Sequence, residues 1–372
     1  MDRRDAPSRD AGYTGAVQSD EMLIALLLAG ALQQESRAEV ERVAPALTSA
    51  ATPGCLNFLA VDPSDPNVLF GYSTAPGDLH RSDDGGLTWI DLAGPPQSIA
   101  SVAVSRIDPL RVFAVAGGFY VSEDRGETWA RSQSAPVDLN GELVVDPFSS
   151  ERLYVASNSF RGTNVGEIWF SPDEGVHWLR KENGLPTGVP GSPVSRLVAD
   201  PKTQGVFLVA LLDGLYESRD GGDHWGLISG EVLVPTGFDA GSSDAVWGQN
   251  GDSLLLSTDG GVTWEPRAVD CCPGVEHQTS LLRVVPDPIS PGVAYVLTEE
   301  QFAGFLFADH VLRTADYGAS WDWFGAGVPA TLPGALRALV FDAEGRTMWI
   351  TDCAGPAVYV FELRRARAIA PR

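Results

Sequence analysis

Two loops longer than a β-rich fold requires hold the side chains best suited to chemistry. Residues 298–310 (TEEQFAGFLFADH) bring Glu299, Glu300, Asp309 and His310 together with Phe302, Phe305 and Phe307, and residues 156–167 (ASNSFRGTNVGE) carry Phe160 and Arg161. Paired carboxylates can act as general acid and base, and inverting hydrolysis of a glycosidic bond needs only two of them opposed across a cleft. Glu299 or Glu300 with Glu142 or Asp138 would supply such a pair. The same residue types suit a binding surface, for which Phe160, Arg161, Glu299, Glu300 and His310 are the candidates. If the phenylalanines pack inward, they anchor the stretch instead. No catalytic residue and no cofactor or metal site is assigned, because the chain has no His-Glu-x-x-His, Walker loop or Gly-x-Ser-x-Gly. His177 and His224 fall in repeated turns and read as structural.

The elements that must position these residues are repeated. SDDGGLTW from Ser82, SEDRGETW from Ser122, SPDEGVHW from Ser171, SRDGGDHW from Ser218, STDGGVTW from Ser257 and TADYGASW from Thr314 share a hydroxyl, an Asp, a Gly and a Trp at places one, three, five and eight. Successive copies start 40, 49, 47, 39 and 57 residues apart, the period of a four-stranded unit. Each Asp (Asp84, Asp124, Asp173, Asp220, Asp259, Asp316) can accept hydrogen bonds from its own turn, and each Gly suits a positive φ. The Trp opens the next strand with a large apolar ring to bury.

A second repeat interlocks with the first. Apolar strands ending in Asp-Pro, such as LAVDP (59–63), LVVDP (143–147) and LVADP (197–201), precede most of the turns, and short strands such as VLFGY (68–72) follow them. One unit is therefore strand A, Asp-Pro turn, strand B, loop, strand C, eight-residue turn, strand D: a propeller blade. A seventh unit without the turn occupies 338–363, and a strand at about 40–48 is expected to complete it. The expected fold is all-β, a seven-bladed propeller of four-stranded antiparallel blades closed by an N-terminal strand, with six blades as the alternative. Its domains read as a leader or signal-like segment (1–35), a linker and ring-closing strand (36–53), the propeller (54–363) and a basic tail (364–372).

These turns resemble the Asp-box, or bacterial neuraminidase repeat, over roughly residues 54–363. The resemblance implies the propeller fold and leaves function open, because the family includes sialidases, xyloglucan hydrolases, sortilin-type receptors and photosystem II assembly factors. It also implies a substrate site on the rim away from the turns. A sialidase-like site would need converging arginines, a Tyr–Glu pair and an acid Asp. The family's Arg-Ile-Pro motif is replaced here by Arg106-Ile107-Asp108-Pro109. The xyloglucan hydrolases pair two propellers where this chain has room for one, and the assembly factors have a single propeller. The reading drawn is a non-enzymatic, monomeric, exported scaffold binding a protein or glycan, with a sialidase-like glycoside hydrolase as the alternative. Converging arginines with a Tyr–Glu pair, or two opposed carboxylates in a cleft, would favour the hydrolase.

Composition bears on partners. A net charge of −23 over 372 residues excludes the basic surface that nucleic acid or an anionic membrane requires. The apolar run 22–32 is too short to span a bilayer. It fits the hydrophobic region of a secretory signal, with Ala29-Gly30-Ala31 as a cleavage site, although Asp20 and Glu21 stand where a signal carries positive charge. The expectation is export to the periplasm or outside the cell; if the run is not a signal, the chain stays in the cytoplasm. Of Cys55, Cys271, Cys272 and Cys353, topology brings Cys55 in blade 1 beside Cys353 in blade 7, so a bridge across the seam is expected. Pairing of Cys353 with Cys271 or Cys272, or reduced cysteines, are the alternatives.

Overall fold

The computed structural model describes residues 54–73, 75–159, 165–186, 193–270, 277–302, 306–324, 336–353 and 357–363. The expected leader, closing strand and tail, together with Phe160, Arg161, Phe305, Cys271 and Cys272, lie outside them, and so do the side chains of Glu300, Phe302, Phe307 and Asp309.

Strands form where apolar residues alternate between Gly, Pro and Asp turns. The seven innermost strands are Phe58–Val61, Ser101–Val104, Gly141–Val145, Arg196–Ala199, Val234–Phe238, His277–Pro286 and Leu336–Phe341. Each begins an antiparallel sheet whose strands pair in chain order. Among the described residues there are six four-stranded blades and a seventh of three strands, Leu336–Phe341, Thr347–Asp352 and Ala357–Glu362. The described residues form a seven-bladed β-propeller and contain no helix, as the repeats predict.

The apolar core lies between blades. Phe70, Tyr72 and Leu79 of blade 1 pack on Val102, Val112 and Ala114 of blade 2. At the seam, Leu56, Leu69 and Trp89 of blade 1 pack on Ala338, Trp349 and Val358 of blade 7. The Trp349 indole donates to the Gly85 carbonyl (2.9 Å), and Cys55 and Cys353 form the expected disulfide, with a Cα separation of 4.4 Å. The seam is thus closed by packing, a hydrogen bond and a covalent link.

The eight-residue turns close on themselves. Asp84 Oδ1 accepts from Ser82 Oγ (2.8 Å) and the Thr88 amide (2.8 Å), and Oδ2 accepts from Thr88 Oγ1 (2.5 Å). Asp124, Asp259 and Asp316 repeat this pattern. In blades 3 and 4 a His ring takes the Thr slot, His177 against Asp173 (2.6 Å) and His224 against Asp220 (2.7 Å). Place five has φ between 79° and 97° in every copy, which is why it is Gly. Place four is left-handed as well, and there Arg125, Glu174 and Tyr317 adopt φ of 57°, 52° and 60° without being Gly.

The stretch 298–310 is not the long loop that its polar residues suggest. It belongs to two nine-residue strands, Ala294–Phe302 and Leu306–Thr314, paired Thr298↔His310, Glu299↔Asp309 and Glu300↔Ala308. The innermost strand of blade 6 is ten residues long and follows them out to the pair His277↔Phe302. In blade 3, Leu153–Ser159 and Val165–Ser171 likewise continue to the pair Ser159↔Val165. In blade 6 the β-formers Thr298, Phe302 and Phe307 favour the extension, whereas in blade 3 Ala156–Ser159 continue the pairing against Val165–Ile168, so each blade extends a raised sheet where a loop is expected.

Candidate functional site

Antiparallel order sorts the turns onto two rims. The eight-residue turns share a rim with the A-to-B turns, as the bond from the Gly85 amide to the Asn67 carbonyl (2.8 Å) requires. The heads of the A strands, the B-to-C hairpins and the raised sheets of blades 3 and 6 lie at the other rim. There a cavity of about 570 Å³ sits on the propeller axis, lined by residues from all seven blades.

The cavity follows from one recurring position. Every A strand is followed at once by a buried polar residue: Asp62, Ser105, Asp146, Asp200, Asp239, Asp287 or Asp342. Four places earlier stand Phe58, Ser101, Glu142, Arg196, Pro235, Arg283 and Ala338, and all but Pro235 line the cavity. Blades 3, 4 and 6 therefore direct charged residues to one central site. Arg196 and Arg283 went unnoticed in the sequence, although the spacing from the Asp-Pro turn would have found them. Tyr72, from the end of the second strand of blade 1, and Gln249 of blade 5 complete the polar lining.

These groups act on one another. Arg196 Nε lies 3.5 Å from Glu142 Oε2, and the Glu142 side chain is 43% exposed. Burial pushes the Tyr72 phenol up to about 12, and its hydrogen bonds to the Val102 backbone and Ser101, with the charge of Arg283, offset only part of that effect. Tyr72 is therefore a neutral phenol at ordinary pH. The Arg283 guanidinium is held below its usual value, chiefly by burial and next by the positive charge of Arg196, while Glu142 works in the opposite direction. Its Nε is buried without a hydrogen-bond partner among the described residues.

The other candidates are spread over the same end of the molecule. Glu299 is half-buried in the raised hairpin of blade 6, and Glu300 is placed there by its backbone alone. His310 is buried, with its ring centroid 4.2 Å from that of Trp323. Asp138 is exposed in the connection before blade 3, at a left-handed φ of 64°. Of the carboxylates singled out from the sequence, Glu142 is the one in the axial cavity. Among the described residues no cluster of His, Cys, Asp or Glu is arranged to hold a metal ion, and no helix is long and apolar enough to cross a membrane.

No protein-family model matches the chain. A xyloglucanase from Paenibacillus sp. is 26% identical over 291 residues, 73% of this chain and 28% of that protein. An oligoxyloglucan-reducing end-specific xyloglucanase from Emericella nidulans is 27% identical over 207 residues, 48% of this chain and 24% of that protein. The chain thus spans about a quarter of the length of these curated relatives. Among solved structures, the GH74 xyloglucanase from Xanthomonas campestris superposes with a TM-score of 0.62 at 20% identity, covering 89% of this chain and 54% of that one. At that identity the likeness is one of fold. The relatives named as hydrolases overturn the expectation of a non-enzymatic binding scaffold and favour the glycoside-hydrolase alternative.

Proposed function

We propose that this chain is a glycoside hydrolase of the propeller type acting on a polysaccharide of the xyloglucan class, which the protein binds across the rim that holds the axial cavity. The observation that supports the reading is the convergence of Glu142, Tyr72, Arg196 and Arg283 in that cavity. The xyloglucanase names of the curated relatives support the reaction class. Glu142 is the candidate acid or base. Glu299, on the raised hairpin at the same rim, is the candidate second carboxylate. Phe160, Arg161 and Glu300 are carried from the sequence as parts of the proposed substrate surface, whereas His310, buried against Trp323, is left out of it.

Three finer assignments accompany this reading. The self-bonded turns support a place among Asp-box propellers, with the propeller at 54–363. The Cys55–Cys353 bridge supports export to an oxidising compartment. A monomeric state is consistent with the closed seam. The test is to incubate the intact chain with xyloglucan and size the products. New reducing ends and shortened chains support the reading, and an unchanged length distribution counts against it.

A further inference from the structure

The axial cavity holds more positive charge than its own residues neutralise. Among the described residues lining it, Arg196 and Arg283 face a single carboxylate, Glu142, an excess of one positive charge. The Glu142 carboxylate lies against Arg196. Arg283 keeps a buried Nε with no hydrogen-bond partner, a desolvated donor whose cost is uncompensated within the described residues. A desolvated guanidinium beside a second one calls for an anion, because each raises the cost of the other's charge. The rest of the chain has the opposite character, with a net charge of −23, so this positive point is local and not part of a basic surface.

We infer that the axial cavity binds a carboxylate, such as that of a uronic acid unit carried as a side group on the otherwise neutral glycan. An excess of one charge matches a monoanion; a dianionic phosphate would leave an unbalanced negative charge beside Glu142. A planar carboxylate also fits the fork of a guanidinium, and the Gln249 amide, Ser101 hydroxyl and neutral Tyr72 phenol offer polar partners for sugar hydroxyls. A cavity of about 570 Å³ lies within the range of ligand sites. The glycan part of this inference rests on the hydrolase reading, whereas the anion part rests on the charges alone.

Calorimetric titration of the intact chain with glucuronate, glucose and inorganic phosphate tests it. The expected result is that glucuronate binds at least ten times more tightly than glucose or phosphate. This binding weakens as salt is raised, is lost by at least tenfold in Arg283→Met and is partly kept in Arg283→Lys. The comparison of the three ligands on the unmutated chain holds even if the Met variant does not fold. Equal affinity for glucuronate and glucose, or a preference for phosphate, overturns the inference. Cleavage of neutral xyloglucan with no binding of glucuronate overturns it while leaving the hydrolase reading in place. Arg283-dependent glucuronate binding without cleavage of any glycan supports the anion site and removes the hydrolase reading.

Discussion

Removing the seam disulfide with Cys55→Ser and Cys353→Ser together should lower stability by about 2–4 kcal/mol. The bridge joins residues 298 apart. For a loop of that length the chain-entropy model gives a ceiling of about 5–6 kcal/mol at 25 °C, and measured values usually fall short of that ceiling. Other seam contacts remain in the double variant: Leu56, Leu69 and Trp89 still pack on Ala338, Trp349 and Val358, and the Trp349 indole still reaches the Gly85 carbonyl. Opening should therefore begin at blades 1 and 7 and spread through the neighbour-to-neighbour interfaces of the ring. Scanning calorimetry of both proteins under non-reducing conditions is the assay, with scan rate held constant because large domains unfold irreversibly. A loss of about 3–6 °C in Tm is expected, from an unfolding entropy of about 2.1 cal/mol/K per residue, which gives about 1.5 °C per kcal/mol for a propeller of this size. Superimposable melting curves would refute the claim that the seam is where the ring is weakest.

Two other changes probe the turns. Trp264→Ala should cost about 3–5 kcal/mol, because it removes a buried ring packed on Gly248, Leu215 and Ile228 and leaves a cavity that a rigid blade cannot fill; chemical denaturation measures it. The turn aspartates should make the protein acid-sensitive in a defined window. The hydrogen bonds from the His224 backbone and side chain hold the Asp220 carboxyl down at about 2, against an ordinary value of 3.8. A depressed folded-state pKa means that its stabilisation is complete above the unfolded value and drains away as pH falls from about 4 toward about 2. Melting curves of the wild type and Asp220→Asn should converge across that window, and a constant difference between them would count against the turn carboxylate as the cause.

The turns were legible because their chemistry repeats: each copy needs an acceptor Asp, a left-handed Gly and a Trp, and six copies in register allow one reading. The strand order and the Cys55–Cys353 pairing follow from counting blades. Residues 298–310 were misread because Glu299, Glu300 and Gly304 interrupt the apolar pattern, while the pairing that carries those strands onward is with neighbours far along the chain. The axial ring escaped notice for a different reason. Its position recurs once per blade, but the residues there vary from Phe58 to Glu142 to Arg283, so a search for shared residue types passes over it. Function was misread because the catalytic motifs searched for are local in sequence, whereas Glu142, Arg196 and Arg283 meet only when the ring closes.

The hydrolase reading stands most directly on Glu142. Reducing-end release from xyloglucan, measured for the intact chain and for Glu142→Gln, isolates the carboxylate, since Gln keeps its shape and removes its charge. The account predicts turnover by the wild type and a fall of about 10²–10⁴-fold in the variant with an unchanged melting temperature. A variant as active as the wild type, or a wild type that cleaves no glycan, would contradict it.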